Sequence, residues 1–289
     1  MSRKIVFSFL LLIASWSKGF AQTFYKWTEF GAAVGATQYF GDINDNYGFQ
    51  HIRSNFGVLG RYNFNHYLAI RLSANYTQVG YDDSYNKNTY QNLRNLSFRS
   101  DIYEATLQAE LNFFRLETGN LESQWTPYIT GGIGAFYYNP YTLYKGEKYY
   151  LRPLGTEGQN FGAQYSDRVY GSTALCFPIG IGVKWWLLPG VNMGIEITDR
   201  LTNTDYLDDV SKTYVGGEKF APDPTALNAA YYIQDPSVLK NPGAPIGRAG
   251  KQRGSSATKD QYLMMQLHLS VQLKTYKCPT TQNYWRTQY

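Results

Sequence analysis

Residues 261–273 run Gln261-Tyr262-Leu263-Met264-Met265-Gln266-Leu267-His268-Leu269-Ser270-Val271-Gln272-Leu273. Leu263, Met265, Leu267, Leu269, Val271 and Leu273 fall at every second position, opposed by Tyr262, Met264, Gln266, His268, Ser270 and Gln272. A period of two places the two sets on opposite faces of a β-strand. Residues 174–187 repeat the pattern, with Phe177, Ile179, Ile181, Val183, Trp185 and Leu187 against Cys176, Pro178, Gly180, Gly182, Lys184 and Trp186. Segments 191–201, 100–113, 68–79 and 55–64 read the same way. Two glycine-rich segments, 27–38 and 126–138, fit it less cleanly. The pattern predicts eight strands and an all-β chain.

The connections sort by length. Those at 39–54, 80–99, 139–173 and 202–260 are long, and those at 65–67, 114–125 and 188–190 are shorter, in strict alternation along the chain. A soluble sandwich has no reason to gather its long loops at one end. A transmembrane antiparallel β-barrel of eight strands does, with long extracellular loops and short periplasmic turns. Hydrocarbon offers the backbone no hydrogen bonds, so only a closed ladder survives in it. A soluble, lipocalin-like barrel is the competing reading, and its apolar face would point inward.

Composition agrees. Tyrosine and glycine stand at 27 each, a tyrosine share far above the usual. No stretch beyond residue 22 has the run of apolar residues that a membrane helix needs. Residues 1–21 read as a secretory signal peptide, with Arg3 and Lys4 before the apolar stretch Ile5 to Ala14 and small residues at Gly19 and Ala21. The expected organisation is a signal peptide at 1–21, a barrel at 22–273 and a periplasmic tail at 274–289, integral to the outer membrane of a Gram-negative cell. Much of the formal net charge of +5 belongs to the leader, so nothing here points to nucleic acid.

A barrel of this size has room inside only for side chains. The inward set includes Glu29, Arg61, Arg71, Glu104, Glu110, Lys184 and Glu196. Buried charges must pair, so the reading is a polar network that plugs the lumen and serves structure. Tyr62, Phe64, Tyr67, Phe113, Phe114, Tyr137, Tyr138, Trp185 and Trp186 suit interfacial girdles.

Catalytic motifs are missing from the sequence, and the chain reads as a non-enzyme without cofactor, metal or small-molecule substrate. His268 and Ser270 share a face of the last strand, an arrangement that acyl transfer on a barrel would use, but a polar lumen position explains them better. Asp42, Asn44, Asp45 and Asn46 imitate part of a calcium loop, yet Arg53 stands where the closing glutamate belongs, so a turn is expected. Asp205, Asp208 and Asp209 cluster in the largest loop, where capping is favoured over a metal. The later part of that loop, 220–260, reads as poorly ordered and exposed. Cys176 and Cys278 fall at opposite ends of the barrel, too far apart for a disulfide. The tail carries Cys278, Tyr284, Trp285 and Arg286, residue types that favour partner contacts.

Several phrases carry a family resemblance: Glu29-Phe30-Gly31, Tyr39-Phe40-Gly41-Asp42-Ile43-Asn44, Arg94-Asn95-Leu96-Ser97-Phe98-Arg99-Ser100, Thr156-Glu157-Gly158-Gln159, Pro178-Ile179-Gly180-Ile181-Gly182 and Thr204-Asp205-Tyr206-Leu207-Asp208-Asp209-Val210-Ser211. In these the chain resembles the PorG-like outer-membrane β-barrel family of the type IX secretion system. The resemblance implies a small barrel that anchors or scaffolds the periplasmic PorK–PorN ring of the secretion and gliding machinery. The alternative is an OmpA- or OmpW-like structural barrel or a narrow small-solute conduit.

Overall fold

The computed structural model describes residues 26–45, 47–116, 123–220 and 229–273. Its strands are β1 (Trp27–Phe40), β2 (Arg53–Asn63), β3 (Leu68–Asp82), β4 (Ser97–Asn112), β5 (Trp125–Tyr137), β6 (Tyr141–Tyr144), β7 (Glu147–Tyr150), β8 (Thr173–Leu188), β9 (Val191–Thr202) and β10 (Gln261–Leu273). β6 and β7 form a hairpin within the β5–β8 connection. The other eight make a closed antiparallel barrel. β1 pairs with β10 from Thr28↔Leu273 to Phe40↔Gln261, which closes the ring. With the ladder closed, each strand has a partner on both sides.

Among the described residues, 64–67, 113–116, 123–124 and 189–190 lie at one rim, and 41–45, 47–52, 83–96, 138–172, 203–220 and 229–260 at the other. The tight turns have local causes. Asn65 Oδ1 accepts the backbone N–H groups of Tyr67 and Leu68, both at 2.8 Å. Gly190 closes the β8–β9 turn at φ +85°, a conformation that disfavours other residues.

The wall is apolar on the outside. Val58, Leu72, Ile179, Ile181, Met265 and Leu269 are exposed along it. Register joins them into rings, as in the row Leu72, Leu107, Ile133 across β3, β4 and β5. A soluble monomer does not present such a belt to water; hydrocarbon is the solvent it fits. The inner face carries the charges, the reverse of a lipocalin-like barrel. The chain is therefore a membrane-spanning barrel of the outer-membrane type.

The belt ends at an exposed aromatic row, Phe56, Tyr76, Tyr103 and Tyr137, aligned across four neighbouring strands. Beyond it the pattern inverts. Gln78, Arg99 and Asp101 turn outward, while Val79, Tyr81, Phe98, Ile102, Tyr262 and Met264 turn inward and are buried. The same strands thus leave the membrane and continue as a water-soluble barrel with an ordinary hydrophobic core. Ile43, Leu96, Leu151, Leu207, Val210 and Ile233 from the long loops complete that core.

Two expectations need correction here. Tyr138 is no girdle residue: it is buried, stacks on Tyr170 at 6.3 Å and contacts the Thr204 hydroxyl. Segment 229–260 is not a loose exposed loop: Gln234, Asp235, Ser237, Arg253 and Asp260 are buried in it. At the short-turn rim, Tyr62 meets Phe64 edge-on at 5.0 Å and Phe114 meets Trp125 at 5.5 Å.

Candidate functional site: a charged lumen under a loop cap

The seven charged residues expected in the lumen are all buried there. Arg71 on β3 reaches across the barrel to Glu196 on β9, with two contacts of 2.7 Å, and lies 3.0 Å from Glu110. Arg61 meets Glu29 at 2.6 Å and Glu110 at 2.8 Å. Lys184 donates to Glu110 at 2.6 Å. Glu110 on β4 thus gathers cations from β2, β3 and β8. A second layer centres on Glu104, which accepts from Asn75 at 2.9 Å, Tyr262 at 2.7 Å and Arg200 at 3.3 Å. Arg200 joins the seven, since its period-two position on β9 also points inward. Counting it, four carboxylates face four cations in the strands' inner face among the described residues.

Polar side chains fill what remains. Gln266 donates to Asn55 at 3.1 Å and Asn75 at 3.2 Å. Tyr128 donates to Glu196 at 2.7 Å and lies 3.2 Å from His268 Nε2. Inward glycines make room for the rings: a Cβ on Gly194 would stand 2.3 Å from the His268 ring, and one on Gly182 would stand 2.6 Å from Tyr128. Ser270 donates instead to Glu29 at 2.9 Å, so His268 and Ser270 serve separate hydrogen bonds. Cys176 is a buried free thiol 3.8 Å from Glu104.

Above this layer the long loops fold into a cap, built from the sequence phrases that stood out. Tyr39, at the end of β1, bridges Asp208 Oδ2 at 2.6 Å and Asp260 Oδ1 at 2.9 Å. Asp208 also accepts from Val210 N–H, and Asp260 from Leu207 N–H, both at 2.9 Å. Glu157 accepts from the N–H groups of Ser211 at 3.0 Å and Lys212 at 3.1 Å and from Arg253 at 3.3 Å. Asp209 accepts from Tyr170 at 2.5 Å and from Thr156. Arg94 pairs with Asp83 at 2.7 Å and donates to the carbonyls of Arg253 and Asp42. Tyr170 stacks on Tyr206 with centroids 4.6 Å apart. Thr204 to Ser211 is therefore a buried knot of caps and turns.

Acids outnumber bases in this cap, and their acidity shifts accordingly. Burial pushes Asp42 up to about 7, and the Asp205 and Glu157 charges add to it. Burial raises Asp205 to about 6. Asp209 also rises to about 6 through burial, although Arg253 opposes it. Burial holds Asp208 and Asp260 well above the carboxylate range, with the Asp260 and Asp42 charges adding to it at Asp208 and the Asp42 and Asp205 charges at Asp260.

The Asp42 region is a turn. Asn44 accepts from Gly48 N–H and donates to the carbonyls of Tyr39 and Gly48, while Asp42 accepts from Ser255 N–H. Asn46 lies outside the described residues, as do the leader 1–21, Cys278, Tyr284, Trp285 and Arg286. Among the described residues no cluster of three or more metal-ligating side chains occurs.

A family model described as a domain of unknown function, DUF6089, matches residues 4–214. The chain belongs to the DUF6089 family. Solved structures similar to this DUF6089 chain include the N-terminal β-barrel domain of Pseudomonas aeruginosa OprF, 9% identical, covering 85% of this chain and 97% of that one at a TM-score of 0.35. Neisserial surface protein A is 10% identical over 86% and 97% of the two chains, with a TM-score of 0.39. Ail, the attachment invasion locus protein of Yersinia pestis, is 10% identical over 86% and 97%, with a TM-score of 0.38. No curated protein matches the chain.

Proposed function

We propose that this DUF6089 protein is a scaffold barrel of the type IX protein secretion and gliding machinery. In this reading the barrel sits in the outer membrane with its long-loop cap outside the cell. Its periplasmic side holds the PorK–PorN-like ring. The observation that carries a scaffold over a conduit is the lumen: cross-barrel pairs such as Arg71–Glu196 occupy the space that a solute would need. The secretion role rests on the family phrases, four of which supply residues of the cap. The aromatic, base-rich tail at 274–289 is the proposed ring contact, together with the short turns. Removal of a leader at 1–21 delivers the chain to that side. No catalytic step is assigned.

Affinity purification of the full-length protein from membranes tests the reading. Ring proteins co-purify with the intact chain and are lost when 274–289 is deleted. Gene deletion leaves cargo in the periplasm. Normal export after deletion, with no ring protein recovered, would instead leave an OmpA- or OmpW-like structural barrel.

A further inference from the structure

We propose that Tyr39, Asp208 and Asp260 form a proton-holding latch that ties the long loop 203–260 to the barrel mouth and releases it when the shared proton leaves. Hydrogens are too few for the contacts these three groups make. The Tyr39 hydroxyl has one, yet its oxygen lies 2.6 Å from Asp208 Oδ2 and 2.9 Å from Asp260 Oδ1. It donates to one carboxylate, and the other contact then needs a proton from the carboxyl itself. With both acids ionised, that second contact would set lone pairs against each other in a buried site.

The far oxygens are taken, since Val210 N–H points at Asp208 and Leu207 N–H at Asp260. Among the described residues the cap's ion pairs use Arg94 on Asp83 and Arg253 on Glu157 and Asp209, leaving no basic partner for this pair. Asp42 and Asp205 face it from neighbouring turns and add negative charge, and Tyr138 stands beside Asp260. Arg94 acts electrostatically on Asp208, and Lys259 on Asp205. Asp208 lies within the loop, Asp260 at its end and Tyr39 on β1, so the shared proton pins the loop at two places.

The sign follows from linkage. Both acids are raised in the closed state, so that state binds more protons than an open one. Closure is complete at acid pH and weakens as pH climbs from the ordinary carboxylate range through the raised values. Asp205 and Asp42, raised to about 6 and about 7, titrate in the same direction.

The test uses the full-length protein in lipid nanodiscs. Infrared spectroscopy at neutral pH detects a protonated carboxyl band that fades with rising pH. Over the same range, the proteolysis rate rises and the exchange protection factors of 203–220 and 229–260, which remove the intrinsic base catalysis, fall by about tenfold per pH unit for each proton lost. Asp260→Asn, which keeps a permanent donor, weakens that band by one carboxyl, the remainder following Asp42, and lowers the pH slope by about one decade per unit. Tyr39→Phe loosens the loop at acid pH as well. The proposal is overturned if the wild type lacks the band, if loop protection is flat from acid to alkaline pH, or if a chelator opens the loop at constant pH, which would mean a bound cation in place of the proton.

Discussion

Glu104, buried in the lumen, receives hydrogen bonds from Asn75, Arg200 and Tyr262, on three different strands. Removing it strands the Arg200 guanidinium in the wall. Glu104→Ala should cost about 3–5 kcal/mol of unfolding free energy, measured by urea denaturation in lipid. Glu104→Met combined with Arg200→Met should recover most of that loss, because an apolar pair leaves no orphaned charge. Single residues were legible in the sequence wherever the period of two reached them. Glu104 and Glu110 are inward because Tyr103 and Leu107 are outward. Their partners were not legible. Nothing on β3 says that Arg71 will meet Glu196 across the barrel, since that contact depends on diameter and register. The knot at Thr204 to Ser211 was hidden for another reason: its carboxylates look solvent-seeking until donors from β1 and from the 138–172 connection are brought to them.

At the scale of elements, each strand has two zones, and they should answer differently to charge. Leu107 lies mid-strand on the lipid face of β4, where an arginine loses its hydration. Leu107→Arg should destabilise the barrel in lipid by about 2–4 kcal/mol. Gln78→Lys, outward on the protruding part of β3, should change stability by less than about 0.5 kcal/mol. Equal effects at the two sites would remove the boundary drawn at the aromatic row. The sequence pattern found every barrel strand but stopped several of them short. β3 runs to Asp82 and β4 starts at Ser97 because the outer ends trade an apolar outside for an apolar inside. That exchange keeps the period and reverses its meaning, and for the same reason Tyr138 seemed to face lipid. The β6–β7 hairpin could have been read: Lys145 and Gly146, both at positive φ, make the tight turn between two tyrosine-rich arms.

For the whole molecule, the packed lumen predicts electrical silence. Planar-bilayer recordings of the purified protein should show no stable open level. Arg71→Ala with Glu196→Ala, which opens the widest cross-barrel pair, should add only brief flickers, because the Glu104 layer and the cap still stand above it. A steady conductance in the wild type would favour the conduit reading over the scaffold.

The pairing of β1 with β10 has a kinetic consequence. The two strands come from opposite ends of the barrel sequence, so the contact that completes the ring spans nearly the greatest loop this chain can close, and its entropy opposes early formation. Assembly therefore waits for the final strand to arrive. Until then the intermediate travels as an unclosed ribbon, attractive to any other strand it meets. A chain cut before residue 261 should stay in that state and be degraded or aggregate. The intact chain should therefore be most prone to aggregate during the delay between synthesis and closure.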